Sequence, residues 1–420
     1  MNANNTAMWR GTPLKYVLSH FLCAILFKIG LDYAYINIIF PSYAYMGYSC
    51  NPTFQSMVLS YIFLVWGVLL TIPFFRSSDV FCSNLIILLF YFSYIPTATV
   101  LGCIQQPTKF ILAISIYYTL FFLLLKIVKK PNIRLYQIRK IIPWVSIFFC
   151  AVVIIISGVW AHFRINLSFD NVYELRWIAR GYRIPTVLVY LWNAASNILP
   201  LMVAFYLAKK NYKVVALLAF VILLNFSING MKATLLKLVL CIIFFFVLKK
   251  DPRYYIGYFF VAIMALASVE WLVIGTDMIA ETYIRRNFFI PSFFDTLYFD
   301  IIEKNGPIFY SHSIGGTEID FLIGDEYFDR GYMRANNGMF SDAYRNLGMV
   351  GVFIYPFVYA LLFKTVEAMA KGHAVWVLFF TAFIYVYTIR GAEITVSLLT
   401  HGLFFVAIVL YLVPRNYLKE

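Results

Sequence analysis

Long apolar runs, separated by short polar segments, fill most of this chain. The runs are about 17–23 residues long, the length that an α-helix needs to cross roughly 30 Å of hydrocarbon. We predict about twelve spans, near 14–32, 56–75, 80–102, 108–128, 141–161, 186–208, 214–229, 232–248, 254–275, 347–367, 374–390 and 394–413. The pattern therefore predicts an all-α polytopic membrane protein, with residues 1–420 forming a single integral membrane domain.

Composition supports this assignment, because 62% of the 420 residues are hydrophobic and only 13% are charged. A water-soluble globular protein has about twice that share of charged residues. Aromatic residues make up 20% of the chain. They suit interfacial belts at the membrane surface and equally a groove that stacks against sugar rings, and composition does not separate these two uses.

Lysine and arginine residues indicate which helix ends are cytoplasmic, because short cytoplasmic loops carry an excess of positive charge. The clusters are Lys126, Lys129, Lys130, Arg134, Arg139 and Lys140; Lys209, Lys210 and Lys213; Lys249, Lys250 and Arg253; and Lys364 and Lys371. With twelve spans they all lie on one face, together with both termini. Topology therefore explains the net charge of +14, which gives no reason to expect a nucleic-acid partner.

Two polar segments on the opposite, outer face carry candidate chemistry, and the first is the basic loop 162–185. It contains four arginines against two acidic residues. Arg176 and Arg180 are one helical turn apart, so on a helix both project from one face and can clamp a doubly charged anion. Guanidinium groups match phosphate oxygens bidentately. The alternative is that these arginines pair with Glu174 or with anionic lipid headgroups.

The second segment is the large outer loop 276–345. Near its start Arg285 and Arg286 lie just before an apolar stretch, 288–291, and this combination suits a lipid-linked phosphate with its charged head and long apolar tail. The acidic residues farther along lack a DxD or EF-hand pattern, so no metal site is predicted. His312 is a candidate for proton transfer, and the alternative is a solvated loop with a structural histidine.

Lys232 follows Asn229 and Gly230 at a predicted outer turn between two short helices. A cation at this position faces either water or a pocket at the membrane edge. The alternative is that the side chain only extends to the aqueous interface, as lysines near helix ends commonly do.

The large loop ends in residues 334–351, which read RANNGMFSDAYRNLGMVG and enter a predicted membrane helix. Asn and Gly, an acidic residue, an aromatic residue and then Asn-Leu-Gly before a helix form a pattern that resembles the end of the large periplasmic loop of Wzy-type polymerases. Those enzymes polymerise O-antigen and capsule oligosaccharide repeat units. Three further segments agree with the family in order and topological side: Tyr173-Glu174-Leu175-Arg176, Gly230-Met231-Lys232 and Arg285-Arg286. The resemblance covers about residues 151–390.

The resemblance implies a fold related to the GT-C membrane glycosyltransferases and to O-antigen ligase. It also implies that the growing glycan leaves undecaprenyl pyrophosphate at the periplasmic face of the bacterial inner membrane. The glycan is then joined to the non-reducing end of an incoming lipid-linked repeat unit, without a cofactor, nucleotide sugar or metal. The implied partners are undecaprenyl-pyrophosphate-linked oligosaccharides, membrane lipids and a separate chain-length regulator protein.

Such a reaction needs cations at the site, because negative charge grows on the diphosphate leaving group as the glycosidic bond breaks. The candidates are Arg176, Arg180, Lys232, Arg285 and Arg286. The candidates for a general base on the attacking hydroxyl are Glu174, His312 and Asp342. Arg334, Asn337 and Tyr344 are expected to contact the pyrophosphate or the glycan. Where the family has arginine at the helix turn, this chain has Lys232, which keeps the charge but loses bidentate geometry.

Two other classes of protein remain open. An O-antigen ligase would share the fold, the donor and the arginines but would transfer finished glycan to lipid A-core. Its expected histidine motif late in the large loop is not evident in this sequence. A lipid-linked oligosaccharide flippase or another transporter would line its interior with charges at several mid-membrane positions, and this chain has few of them.

Overall fold

The computed structural model describes residues 14–166, 172–248, 251–311, 318–331 and 333–415. All regular elements within these ranges are helical. The chain divides into two compact units. Unit 1 comprises Met1–Lys130, Arg253–Lys364 and Ile389–Glu393, and unit 2 comprises Pro131–Pro252, Thr365–Thr388 and Ile394–Glu420.

Unit 1 contains the N-terminal helices and the helices of the predicted large loop. Its α-helices are Leu14–Ala34, Phe40–Tyr43, Phe54–Thr71, Val80–Leu89, Ile95–Cys103, Thr108–Ile127, Ile256–Val269, Ile290–Asn305, Ile319–Phe328, Met339–Leu347 and the start of Met349–Met369. Several are continued by π-helical turns at Tyr35–Ile39, Phe90–Tyr94, Glu270–Ile274 and Ala280–Phe289. Short 3₁₀ turns lie at Ala44–Met46, Ile72–Arg76 and Pro252–Tyr254.

Unit 2 is built from the middle of the chain and its C-terminal helices. Its α-helices are Ile141–Val159, Val172–Arg180, Thr186–Ala208, Tyr212–Asn229, Lys232–Val247, the end of Met349–Met369, Val375–Ile389, Ile394–Leu398 and Leu403–Leu412. Helices Thr186–Ala208 and Tyr212–Asn229 pack together, and the indole N–H of Trp192 donates to Asn225 Oδ1 at 2.6 Å between them.

Nine helices of the described residues are long and apolar enough to cross a membrane. They are Leu14–Tyr43, Phe54–Arg76, Val80–Cys103, Thr108–Ile127, Ile141–Val159, Thr186–Ala208, Tyr212–Asn229, Ile256–Ile274 and Met349–Met369. The architecture is therefore that of a polytopic, membrane-embedded helical protein. The total of twelve spans stays a prediction, because its other three members correspond to shorter helices.

The last predicted span, 394–413, is divided in the structure into Ile394–Leu398 and Leu403–Leu412. Gly402 takes φ of +72° at the start of the second helix, a left-handed conformation that ends the regular helical path. Apolar residues continue on both sides of this break, so the hydrophobic pattern alone predicts one uninterrupted helix.

Helix ends follow local sequence signals. Thr53 and Ser56 cap the start of Phe54–Thr71 reciprocally, each side-chain oxygen accepting from the other residue's N–H at 3.1 and 2.9 Å. Gly230 ends Tyr212–Asn229 with φ of +61°, where a residue with a Cβ would be strained. This turn separates two helices after a single left-handed residue and so fixes the position of Lys232.

The span Val80–Cys103 lies at the centre of unit 1, and nearly all of its residues are buried. Tyr94 stacks on Phe63 with ring centroids 4.1 Å apart and donates to the Phe63 carbonyl at 2.7 Å. A Cβ at Gly67 would lie 2.2 Å from the Tyr94 ring, so glycine is needed for this close approach. A helix that is apolar all round is expected in such a central position.

Charge inside the first span is paired. Lys28 Nζ lies 2.6 Å from Asp32 Oδ1, one helical turn later, and the hydroxyl of Tyr61 donates to Asp32 Oδ2 at 3.1 Å. Lys28 is completely buried. Ionisable groups within membrane spans are costly unless paired in this way, so the pair ties the first helix to Phe54–Thr71.

The predicted large loop 276–345 is mostly helical where the structure describes it. Helices Ile290–Asn305 and Met339–Leu347 pack against each other, and most of their residues are buried. The sequence reads as a loop because polar residues interrupt the apolar pattern. Several of those polar residues, among them Asp320, Asp342 and Arg345, are paired with one another in the fold.

Candidate functional site

Arg345 is the centre of a buried charged cluster in unit 1, here called the Arg345 cluster. Its side chain is only 2% exposed. Its guanidinium donates to Asp320 Oδ1 at 2.8 Å, lies 3.5 Å from Asp342 Oδ1 and bonds to the carboxylate of Glu393. Helices Ile319–Phe328 and Met339–Leu347 and the 389–393 segment are thereby held together.

Electrostatics keep this guanidinium charged. Burial alone would lower the pKa of Arg345, but the carboxylates of Asp320, Asp342 and Glu393 outweigh burial and raise it above its usual value. The hydroxyl of Tyr298 also donates to Asp320 Oδ1 at 2.8 Å. The guanidinium is therefore the centre of a buried hydrogen-bonded network.

Two of the predicted site residues belong to this network. Asp342 is 1% exposed, and it accepts from Asn346 Nδ2 at 2.8 Å as well as pairing with Arg345. Arg334 lies at the surface, 61% exposed, with its guanidinium 2.9 Å from Glu318 and 3.4 Å from Asp320. Asp342 is thus a paired, enclosed carboxylate in this conformation, whereas Arg334 is accessible to a ligand.

Tyr344 is also enclosed. Its ring lies between Phe299 and Phe340, with centroids 4.8 and 5.6 Å away, and its hydroxyl donates to Glu303 Oε1 at 2.7 Å. Glu303 in turn pairs with Lys109 at 2.6 Å. The predicted contact of Tyr344 with a glycan is untested, and in this conformation the ring is part of the core.

Asn337 precedes Gly338 at the start of helix Met339–Leu347 and is 5% exposed. Within the described part of the chain, neither its amide nitrogen nor its amide oxygen has a hydrogen-bond partner. A buried amide left in this state costs about 1–3 kcal/mol. The side chain is therefore available to a polar ligand or an ordered water molecule, as its predicted binding role requires.

Asp295 lies beside a small cavity of about 20 Å³ whose lining also includes Tyr118, Ser292, Gly338 and Arg390. Burial raises the pKa of Asp295 to about 7, against the opposing effect of its hydrogen bonds with Ser341. The cavity has room for about one water molecule. Asp295 was not predicted as a site residue, because a single acidic residue within an apolar stretch matches no motif.

Asp295 should make stability depend on pH. Between a pKa near 4 in the unfolded chain and about 7 in the folded protein, only the folded state keeps the proton, so stability falls as pH rises through this window. Asp295→Asn mimics the protonated form and is expected to raise the thermal midpoint at pH 8 but not at pH 4. Asp300→Asn, at an exposed position of the same helix, is the contrasting variant, because Lys304 and Tyr327 hold the pKa of Asp300 below its usual value and its removal should not raise the midpoint at pH 8. Equal pH profiles for Asp295→Asn and the intact protein would contradict this assignment.

The predicted arginine pair of the large loop lies on the π-helical turn Ala280–Phe289. Arg285 is 6% exposed, and its guanidinium carbon lies 4.0 Å from the ring centroid of Tyr43 and its Nη2 lies 3.9 Å from Glu281. Arg286 is exposed. The two neighbours therefore point in different directions, one into the protein and one outward.

Arg176 and Lys232 come together in unit 2. Arg176 Nη2 donates to the carbonyl oxygen of Gly230 at 3.3 Å, and the backbone N–H of Lys232 donates to the same oxygen at 3.0 Å. Helix Val172–Arg180 brings Arg176 to this turn, while Glu174 and Arg180 are exposed. The guanidinium of Arg176 is thus brought to the left-handed turn that precedes Lys232, outside the candidate spans.

The predicted residues are therefore distributed over both units. Arg285, Arg286, Arg334, Asn337, Asp342 and Tyr344 belong to unit 1, and Glu174, Arg176, Arg180 and Lys232 belong to unit 2. His312 lies outside the described residues. In the described ranges no group of three or more His, Cys, Asp or Glu side chains is arranged to hold a metal ion.

Comparison with known proteins finds no match to this chain among family models, curated protein sequences or solved structures.

Proposed function

We propose that this protein is a repeat-unit polymerase of the Wzy type, with a fold related to the GT-C membrane glycosyltransferases. In this proposal it acts at the periplasmic face of a bacterial inner membrane. It transfers the growing glycan from undecaprenyl pyrophosphate to an incoming lipid-linked repeat unit and so builds O-antigen or capsular polysaccharide.

The observation that carries the proposal is the position of the Arg176 guanidinium at the Gly230 turn, which immediately precedes the helix that begins at Lys232. Arg176 reaches the Gly230 carbonyl at the end of membrane helix Tyr212–Asn229, two residues before Lys232, where the pyrophosphate of a membrane-anchored carrier would stand. A guanidinium and an ammonium beside one turn attract a di-anion, and hydrogen bonds to charged groups contribute about 1.5–3 kcal/mol each. The sequence motifs name the same two residues as candidate cations.

In the proposed reaction the bond between the anomeric carbon and the pyrophosphate oxygen breaks. A new bond forms between that carbon and a hydroxyl oxygen of the acceptor sugar. The acceptor proton passes to a general base or to the departing pyrophosphate. Cations near the pyrophosphate lower the barrier, because negative charge on it increases in the transition state. Glu174 is exposed and Asp342 is buried, so Glu174 is the more accessible of these two candidate bases.

Unit 1, taken by itself, carries groups whose chemistry suits sugar hydroxyls. Arg334 and Arg286 are exposed cations, and Asn337 supplies an amide that has no partner among the described residues. Amides pair with sugar hydroxyls both as donors and as acceptors.

Asn337→Leu is expected to lower polymer formation without lowering the stability of the protein. The substitution removes two unpaired buried polar atoms at nearly constant shape, so the thermal midpoint should stay level or rise. If Asn337 binds glycan, polymer formation should fall by about tenfold, the equivalent of one lost hydrogen bond. Asn336→Leu, at the exposed neighbouring position, is the control. Unchanged polymer formation in the Asn337→Leu protein would remove Asn337 from the proposed site.

The class of protein is tested by deleting the gene and examining surface polysaccharide on a gel. The proposal expects lipid A-core bearing a single repeat unit in the deletion strain and a restored ladder on complementation. Long polymer accumulating on undecaprenyl pyrophosphate, with none on the core, would identify a ligase. Accumulation of unpolymerised lipid-linked repeat units at the cytoplasmic face would identify a flippase.

A further inference from the structure

The helix Val172–Arg180 is held at the end of the membrane helices of unit 2. The indole N–H of Trp160, one residue beyond the span Ile141–Val159, donates to the Arg183 carbonyl at 3.2 Å. Arg176 reaches the Gly230 carbonyl at the end of another span, and a third span begins at Thr186. Because Arg176 of this helix reaches one span end and the linker after the helix bonds to another, the helix lies where the spans leave the hydrocarbon.

Its two faces differ in character. Leu175 is 2% exposed and packs inward, whereas Trp177 is 74% exposed. Ile165, in the preceding linker, is 66% exposed, and Val187, in the first turn of helix Thr186–Ala208, is 71% exposed. An indole ring with a polar N–H and an apolar body is typical of the headgroup level of a bilayer.

Exposed arginines accompany this apolar surface. Arg164 and Arg183 are both exposed. Arg164 follows Trp160 by four residues in the chain, and the backbone carbonyl of Arg183 accepts the hydrogen bond from the Trp160 indole. An exposed apolar patch flanked by cations is the pattern by which interfacial segments bind membranes containing anionic lipid. The headgroup layer extends about 5–8 Å beyond the hydrocarbon on each side, which covers a helix resting on the span ends.

We propose that Trp177, Ile165, Arg164 and Arg183 form a headgroup face that binds the phospholipid surface. Trp177 inserts at the level of the glycerol groups, and the two arginines contact lipid phosphates. Helix Val172–Arg180 is thereby fixed between lipid on one side and the Gly230 turn on the other. This inference is independent of the proposed enzymatic function, because it concerns only the position of the helix in the bilayer.

The depth of Trp177 is measurable by fluorescence. The full chain is reconstituted in nanodiscs with phospholipids brominated near the glycerol or near the chain end, and the Trp177 contribution is taken as the intact signal minus that of Trp177→Phe. We expect quenching by shallow bromines to exceed quenching by deep bromines by about twofold. Trp66→Phe, on the exposed face of span Phe54–Arg76, supplies the control, with deep bromines more effective.

A Trp177 contribution that no brominated lipid quenches, but that aqueous acrylamide quenches fully, would overturn the proposal. It would place the indole in water, where it is open to a glycan or a protein partner instead. Because Trp177 is exposed, Trp177→Phe is not expected to disturb folding, and an unchanged elution volume on size exclusion checks this.

The charge component has a separate test. The double substitution Arg164→Glu and Arg183→Glu is expected to increase acrylamide access to Trp177 in nanodiscs with anionic lipid, and to have little effect in zwitterionic ones. Arg134→Glu with Arg139→Glu, two exposed arginines elsewhere in unit 2, is the matched control. Equal effects of the first pair in both lipid compositions would contradict the assignment of Arg164 and Arg183 to lipid phosphates.

Discussion

Replacing Arg345 by methionine is expected to lower the free energy of unfolding of the protein by about 3–5 kcal/mol. The substitution keeps a long side chain but leaves Asp320, Asp342 and Glu393 without their shared buried cation. Uncompensated charge in a low-dielectric interior is far more costly than the loss of an exposed ion pair. The thermal midpoint in detergent and the rate of proteolysis of unit 1 measure the effect.

Arg330→Met is the matched control, because Arg330 is an exposed arginine of the same unit. It should change stability by less than about 0.5 kcal/mol. If Arg345→Met behaved like the control, the three carboxylates would not depend on this guanidinium. The Arg345 cluster would then be a minor feature of the fold.

The second large effect is expected at Arg176. Arg176→Ala should lower the rate of polymer formation by about 10–150-fold, the loss that corresponds to one charge-assisted hydrogen bond of about 1.5–3 kcal/mol. Arg176→Lys keeps the charge without the bidentate geometry, so an intermediate rate is expected. Ladder length and the amount of polymer per cell, at matched protein levels, provide the measurement.

Arg139→Ala is the control, since Arg139 is an exposed arginine of unit 2 away from the Gly230 turn. A full ladder from Arg176→Ala would contradict a role for this side chain at the pyrophosphate. Loss of polymer in the Arg139→Ala protein as well would indicate that any loss of positive charge in unit 2 lowers activity. The effect of Arg176→Ala would then not support a role for Arg176 at the pyrophosphate.

The membrane helices were the part of the fold most open to prediction from sequence. Apolar runs of sufficient length identify a span whatever its neighbours are, because the lipid sets the requirement. Nine candidate spans among the described residues agree with the pattern. The break near Gly402 was missed, because it depends on backbone conformation within a continuous apolar run.

Contacts between residues that are far apart in the chain could not be predicted from the sequence. Arg345 pairs with Asp320 and Glu393, and no rule of sequence spacing connects these positions to Arg345. The helices within residues 276–345 could not be predicted for the same reason. Their polar residues suggest a solvent-exposed loop unless their partners in the fold are known.

The candidate site was predicted in part. The sequence motifs selected Arg176 and Lys232, but only the fold shows that the Arg176 guanidinium reaches the carbonyl of Gly230, two residues before Lys232. Asn337 was selected from a motif, and its burial without a partner in the described ranges is consistent with that choice. Asp342 and Tyr344 came from the same motif and are enclosed in the core.

The central claim is most directly tested with the purified chain in nanodiscs and a synthetic undecaprenyl-pyrophosphate-linked repeat unit as the single substrate. The proposal predicts products that grow in steps of one repeat unit on a single lipid carrier. One molecule of undecaprenyl pyrophosphate should be released for each step. A substrate that stays unchanged, although the protein is folded and the same substrate is elongated by a known polymerase in a parallel reaction, would contradict the proposed function.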